Sequence, residues 1–196
     1  MPIAALLLAV VANSCDRGST YDIRACWSSA DGVAAAELGA AYATAKDELR
    51  VLGINPAPLA AAQGAWATAR DAGCSFEYEL YLPGTIAPQL GVECDVRMTH
   101  ARTQRLAALT AALKAHGRTP AERPVSATAG AQLDRFYRLY QEQLTTTQQS
   151  KLAQAENAWI TYRDRACAIE GGACLTDLEN ERIAELKAGW LGEAFW

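Results

Sequence analysis

Residues 62–74 read AQGAWATARDAGC, and residues 155–167 read AENAWITYRDRAC. Both carry A-x-x-A-W-x-T-x-R-D-x-x-C, at an offset of 93 residues. The match continues on either side. Leu38, Tyr42 and Leu49 recur as Leu133, Tyr137 and Leu144 at an offset of 95. Cys94, Met98, Arg102 and Leu106 recur as Cys174, Leu178, Arg182 and Leu186 at an offset of 80. Preserved order, with length changes confined to connections, is what a duplicated module looks like. The first copy carries 13 extra residues between its two later cysteines.

On a helix, Trp159, Tyr162, Arg163, Ala166 and Cys167 share one face, as do Trp66, Ala69, Arg70, Gly73 and Cys74. This face reads as a core stripe with the Trp packed between helices. An Arg on it must find acceptors, because an unpaired buried charge is very costly. Asp134, Glu142 and Glu185 are the candidates in the second copy. Adjacent residues diverge on a helix, so Asp71 and Asp164 are expected to point away from Arg70 and Arg163. No nucleophile or base stands beside them. Trp66, Arg70, Asp71, Trp159, Arg163 and Asp164 therefore form a structural motif, not a catalytic one.

Helical composition extends along the chain. The Ala-, Leu-, Glu- and Lys-rich stretch 28–52 predicts one helix, which Gly53, Asn55, Pro56 and Pro58 then break. Further helices are expected over 58–73, 95–115, 130–144, 147–169 and 176–191, the last opened by a capping box Thr176-Asp-Leu-Glu179. YELYL at 78–82 is the one candidate strand. The fold class is all-α, two tandem disulfide-stapled modules of about three helices each. The modules span 15–113 and 129–196. The stretch 114–128, with two prolines and small polar residues, is the linker.

Composition narrows the function. The chain has 196 residues, 22 acidic and 18 basic side chains, and a net charge of −4. A nucleic-acid binder needs a basic face to displace counterions, so that class is excluded. With an apolar share of 51%, the chain is too hydrophobic to stay disordered. Residues 3–12, IAALLLAVVA, are too short to span a membrane and suit the core of a secretory signal. Residues 1–14 are read as a signal peptide cleaved before Cys15, giving a periplasmic or secreted protein. Lipidation of Cys15 is the competing reading, which the Asn13-Ser14 before it fits poorly. In an oxidising space the six cysteines pair rather than bind metal. Six cysteines can pair in many ways, and the duplication favours Cys167 with Cys174, Cys74 with Cys94, and Cys15 with Cys26. No metal-ligand spacing appears, the two histidines lie far apart, and no metal or cofactor is expected.

The pattern L-x-x-x-Y, then A-x-x-A-W-x-x-x-R-D-x-x-C, then a Cys followed eight residues later by Arg, resembles the LprI-type lysozyme-inhibitor family. Leu38, Tyr42, Gln63, Trp66, Arg70, Asp71, Cys74, Cys94 and Arg102 match in the first copy. Leu133, Tyr137, Trp159, Arg163, Asp164, Cys167, Cys174 and Arg182 match in the second, where Glu156 replaces Gln63. Cys15 and Cys26 look like the family's paired N-terminal cysteines. The resemblance implies an exported, helical, disulfide-bonded bacterial protein that binds a lysozyme-type muramidase and inhibits it without catalysis. The alternative is an envelope module that shares the fold and binds another protein or a glycan. A hydrolase working through paired carboxylates ranks below both.

The 13 extra residues are expected to form a loop, SFEYELYLPGTIAPQLGVE, over residues 75–93. Phe76, Glu77, Tyr78, Glu79 and Tyr81 are its candidate partner-binding residues. From Ser75 to Val96 there are four acidic residues and no basic one. Lysozymes are commonly cationic, with a carboxylate-bearing cleft. An acidic loop would be steered toward the cationic face of such a partner, with its aromatic side chains entering the sugar-binding cleft as anchors. The alternative is that the aromatics fold back to cover the core while the acids face water.

Overall fold

In the computed structural model, residues 15, 17–119, 127–171 and 173–190 are described. Residues 1–14, read above as a signal peptide, lie outside them, as does part of the expected linker 114–128. The described residues form helices α1 (Thr20–Val51), α2 (Ala57–Leu80), α3 (Ala87–His116), α4 (Ala127–Gln141), α5 (Thr146–Glu170) and α6 (Cys174–Trp190), with no strand among them. The all-α class and the disulfide-stapled modules hold. YELYL is not a strand, since Tyr78–Leu80 belongs to α2 and Tyr81–Leu82 to the turn that follows.

Several helix ends lie beyond the sequence expectation, and caps explain two of them. Helix α1 starts eight residues before Ser28 because Ser19 caps it. The Ser19 side chain accepts from the Asp22 amide, and Asp22 accepts from the Ser19 amide at 2.9 Å. This box holds the Asp22 carboxyl below the usual carboxylate range. Thr145 and Gln148 form the same reciprocal pair at the start of α5. Caps of this kind contribute about 1 kcal/mol each. The expected box at Thr176 is absent as a cap. Helix α6 already begins at Cys174, so Thr176 sits inside it and Glu179 turns into the interior, 6% exposed.

The chain divides into two compact units. The first comprises residues 1–56 and 77–118, and the second comprises 57–76 and 119–196. The second unit thus takes most of α2 from the sequence region of the first copy.

In the first unit, α1 packs against α3. The buried positions of α1 are Trp27, Ala34, Leu38, Ala45 and Leu49, alternating spacings of seven and four. In α3, Thr99, Arg102, Leu106, Leu109 and Leu113 follow at three and four. Both are the seam spacing of paired helices. Val92 and Val96 join the cluster of Cys15, Trp27 and Ala34, while His100 Nδ1 lies 3.6 Å from Glu37 Oε2. The residues that meet advance along both helices together, so the two run parallel. A disulfide joins Cys15 to Cys26 at the N-terminal end of the pair.

In the second unit, α6 packs against α4 and α5, and Cys167 is bonded to Cys174 across the α5–α6 turn. From α2, Phe76 meets the Tyr140 ring edge-on at 5.5 Å, and Ser75 Oγ accepts from Lys151 Nζ at 3.2 Å. Leu59, Ala62, Leu152, Ala155 and Ala166 are buried in the same unit. Each buried Leu contributes about 2 kcal/mol of apolar transfer. Cys74 and Cys94 are also disulfide-bonded, and no described cysteine is free. No helix among the described residues is long and apolar enough to cross a membrane.

Candidate functional site

The 13 extra residues of the first copy do not make a long loop. They lengthen α2 to Leu80 and start α3 at Ala87, leaving a turn of six residues, 81–86. The arm from Cys74 to Leu80 spans about 9 Å at the helical rise, and that from Ala87 to Cys94 about 10 Å. The turn therefore stands roughly two helical turns beyond its cysteines along either arm. At the equivalent place in the second copy, Gly171 ends α5 and α6 begins at Cys174.

Backbone hydrogen bonds close the turn. Tyr81 N–H donates to Tyr78 O at 3.2 Å, Gly84 N–H to Tyr81 O at 2.7 Å, and Ala87 N–H to Gly84 O at 3.2 Å. A Cβ at Gly84 would lie 2.7 Å from the Tyr81 carbonyl oxygen, so only glycine fits there without a backbone shift. The Leu82–Pro83 peptide is cis. Below the turn, Arg97 donates to Glu77 Oε2 at 2.6 Å and links the two arms.

The five expected binding residues separate by burial. Phe76 is 6% exposed and is held against Tyr140, so it belongs to the core and cannot reach a partner. Glu77 is half-buried in its ion pair with Arg97, and Glu79 is half-buried. Tyr78 and Tyr81 are exposed. Two residues that the sequence reading missed join them, Leu82 and Ile86, 43% and 49% exposed. Of nine exposed large hydrophobics among the described residues, four fall within Tyr78–Ile86, so the patch is a cluster and not scatter. A signal was present: a run without charge from Leu80 to Val92, containing two prolines and two glycines, marks an exposed turn. Partial burial pushes the Tyr81 phenol up, with Glu77 and Glu93 adding to it and Arg97 opposing. It stays a hydrogen-bond donor at neutral pH.

The repeated motif has a different geometry from the one expected. Arg70 stacks on Trp66, 5.1 Å from the ring centroid, and Arg163 stacks on Trp159 at 5.3 Å. Each Arg bonds its own neighbour: Arg70 to Asp71 at 2.7 Å and Arg163 to Asp164 at 2.8 Å. The expectation that these pairs diverge fails because the Arg stem is long enough to fold over the ring and back. Arg163 also lies 3.8 Å from Glu179, a residue not among its expected acceptors. The buried guanidinium of this unit is Arg182, 5% exposed, which donates to Glu156 at 3.0 Å and Glu185 at 3.1 Å. Burial pushes it down, but the two carboxylates outweigh that and hold it above the ordinary arginine value. It also lies 5.9 Å from the Trp159 ring, so one indole is flanked by two guanidinium groups. Burial, with Asp134 adding and Arg163 opposing, pushes the Glu179 carboxyl up. The contacts of Arg163 with Glu179 and of Arg182 with Glu156 join α5 to α6, while each Arg–Asp pair is local to one helix.

Fold and site together define a disulfide-stapled, all-helical protein built from two copies of one helical module. The chain belongs to the family described as "Lysozyme inhibitor LprI", whose model matches residues 12–106 and 125–186, two separate stretches consistent with tandem copies. A search of curated proteins returned no match, and neither did a search of solved structures.

Proposed function

We propose that this protein is exported to the bacterial envelope, with cleavage before Cys15, and there binds and inhibits lysozyme without catalysing a reaction. The observation that carries the proposal is the family match over both stretches. Fully paired cysteines support an oxidising compartment. The contact is assigned to the α2–α3 turn and its arms, through Tyr78 and Tyr81 with Glu77 and Glu79 beside them, Phe76 serving as their buried anchor. A locked turn reduces the ordering cost of binding. The test is titration of animal-type and bacterial muramidases with the purified, oxidised protein. Saturable loss of activity toward at least one class is expected. Capture of envelope components with no effect on any muramidase would replace this reading with the interaction-module alternative. Mass spectrometry of the mature N-terminus reads cleavage and lipidation in one measurement.

A further inference from the structure

Charge is segregated along the hairpin. Leu80–Val92, LYLPGTIAPQLGV, carries no charged side chain, whereas Glu77, Glu79, Glu93 and Asp95 all lie behind it on the two arms. The foremost residues, Tyr81, Leu82 and Ile86, are exposed and apolar, on a backbone closed by its own hydrogen bonds. This is a turn of six residues at the end of a helical hairpin, and a short apolar turn of this kind suits a concave partner.

We propose that this tip seats in the saccharide-binding cleft of the muramidase, while the acidic arms behind it face the cationic surface around the cleft. The inference rests on the lysozyme-inhibitor reading above and specifies its mode as competition with substrate. Electrostatics favours this arrangement over insertion of the acidic arms. A lysozyme cleft holds catalytic carboxylates, and pushing Glu77 or Glu79 against them would bury like charges together. An uncharged tip avoids that cost and leaves the carboxylates where cationic side chains meet them. Tyr81 and Leu82 present flat or branched apolar surface of the kind that a sugar-binding cleft covers, and the Tyr81 phenol donates a hydrogen bond as a sugar hydroxyl does.

The test measures inhibition of a cationic lysozyme in the presence of tri-N-acetylglucosamine, a non-hydrolysed cleft ligand. A triple variant, Tyr81→Ser with Leu82→Ser and Ile86→Ser, is measured in parallel. These side chains are exposed, so helix content and full thiol pairing should match wild type, and both are checked. Competition is expected: the apparent inhibition constant of the wild type rises in proportion to trisaccharide occupancy. The variant should inhibit at least about tenfold more weakly. Undiminished binding of the wild type to lysozyme saturated with trisaccharide, read by surface-based binding, overturns the cleft assignment while lysozyme inhibition itself stands, and it needs no variant. Equal inhibition by a folded triple variant does the same. A wild type that inhibits no muramidase removes both readings together.

Discussion

Arg182 and Arg163 illustrate how far a single side chain can be read. Both occupy repeated positions, yet one is buried and the other lies half-buried over a ring. Spacing gives the direction of Cβ but not the depth of a guanidinium at the end of a long stem. Glu156, which stands where the first copy has Gln63, is the charge that Arg182 needs. Removing Arg182 leaves Glu156 buried without its cation, so Arg182→Ala should destabilise the protein by about 3–5 kcal/mol in chemical denaturation. A loss under about 1 kcal/mol would mean that water solvates Glu156 freely. Glu179 carries the opposite sign. Its carboxyl is raised in the folded state, so its contribution is most favourable below the ordinary glutamate range and declines as pH rises through the raised value. Glu179→Gln should therefore raise Tm at neutral pH, with the gain vanishing in acid. A gain that is constant with pH would assign the effect to packing instead.

At the scale of helices, existence was legible and ends were not. Good helix formers mark all six elements, with proline or glycine at most of the breaks between them. The end of α2 was misplaced because Gly73 and the aromatic run after Cys74 read as a break, whereas Phe76 is held helical by Tyr140. No local rule reports that contact. The same fact bears on loop exchange: replacing residues 75–93 by the AIEGGA of the second copy would remove Phe76 and about two helical turns from each arm, changing the core along with the surface. Gly84 offers a cleaner perturbation. A methyl there collides with the Tyr81 carbonyl and disrupts the hydrogen bond that closes the turn. Gly84→Ala should speed amide hydrogen exchange across residues 78–90 and leave α5 and α6 protected as before. Unchanged protection in 78–90 would show that the turn does not depend on that close approach.

For the molecule as a whole, charge is uneven. Residues 15–113 carry a net −3 and residues 114–196 a net −1, and the hairpin arms hold four of the acidic residues of the first copy. Surface charges of this kind act on encounter more than on the final contact. Association with a cationic lysozyme should therefore slow as salt rises past about 0.1 M, where the Debye length is about 10 Å, while dissociation changes less. Stopped-flow or surface-based kinetics separates the two rates. An association rate independent of salt would exclude steering by the acidic arms.

Sequence by itself determined the all-helical class, the duplication and the family. Those depend on periodicity and on motifs in covalent register, which are properties of short stretches. Tertiary structure alone decided three things. It sank Phe76 and left Tyr81, Leu82 and Ile86 at the surface. It turned 13 extra residues into two helical arms. It grouped Ala57–Phe76 with residues 119–196. The reason is common to all three: burial is set by partners distant in the chain, such as Tyr140 for Phe76 and Glu156 for Arg182, and local pattern carries no record of them.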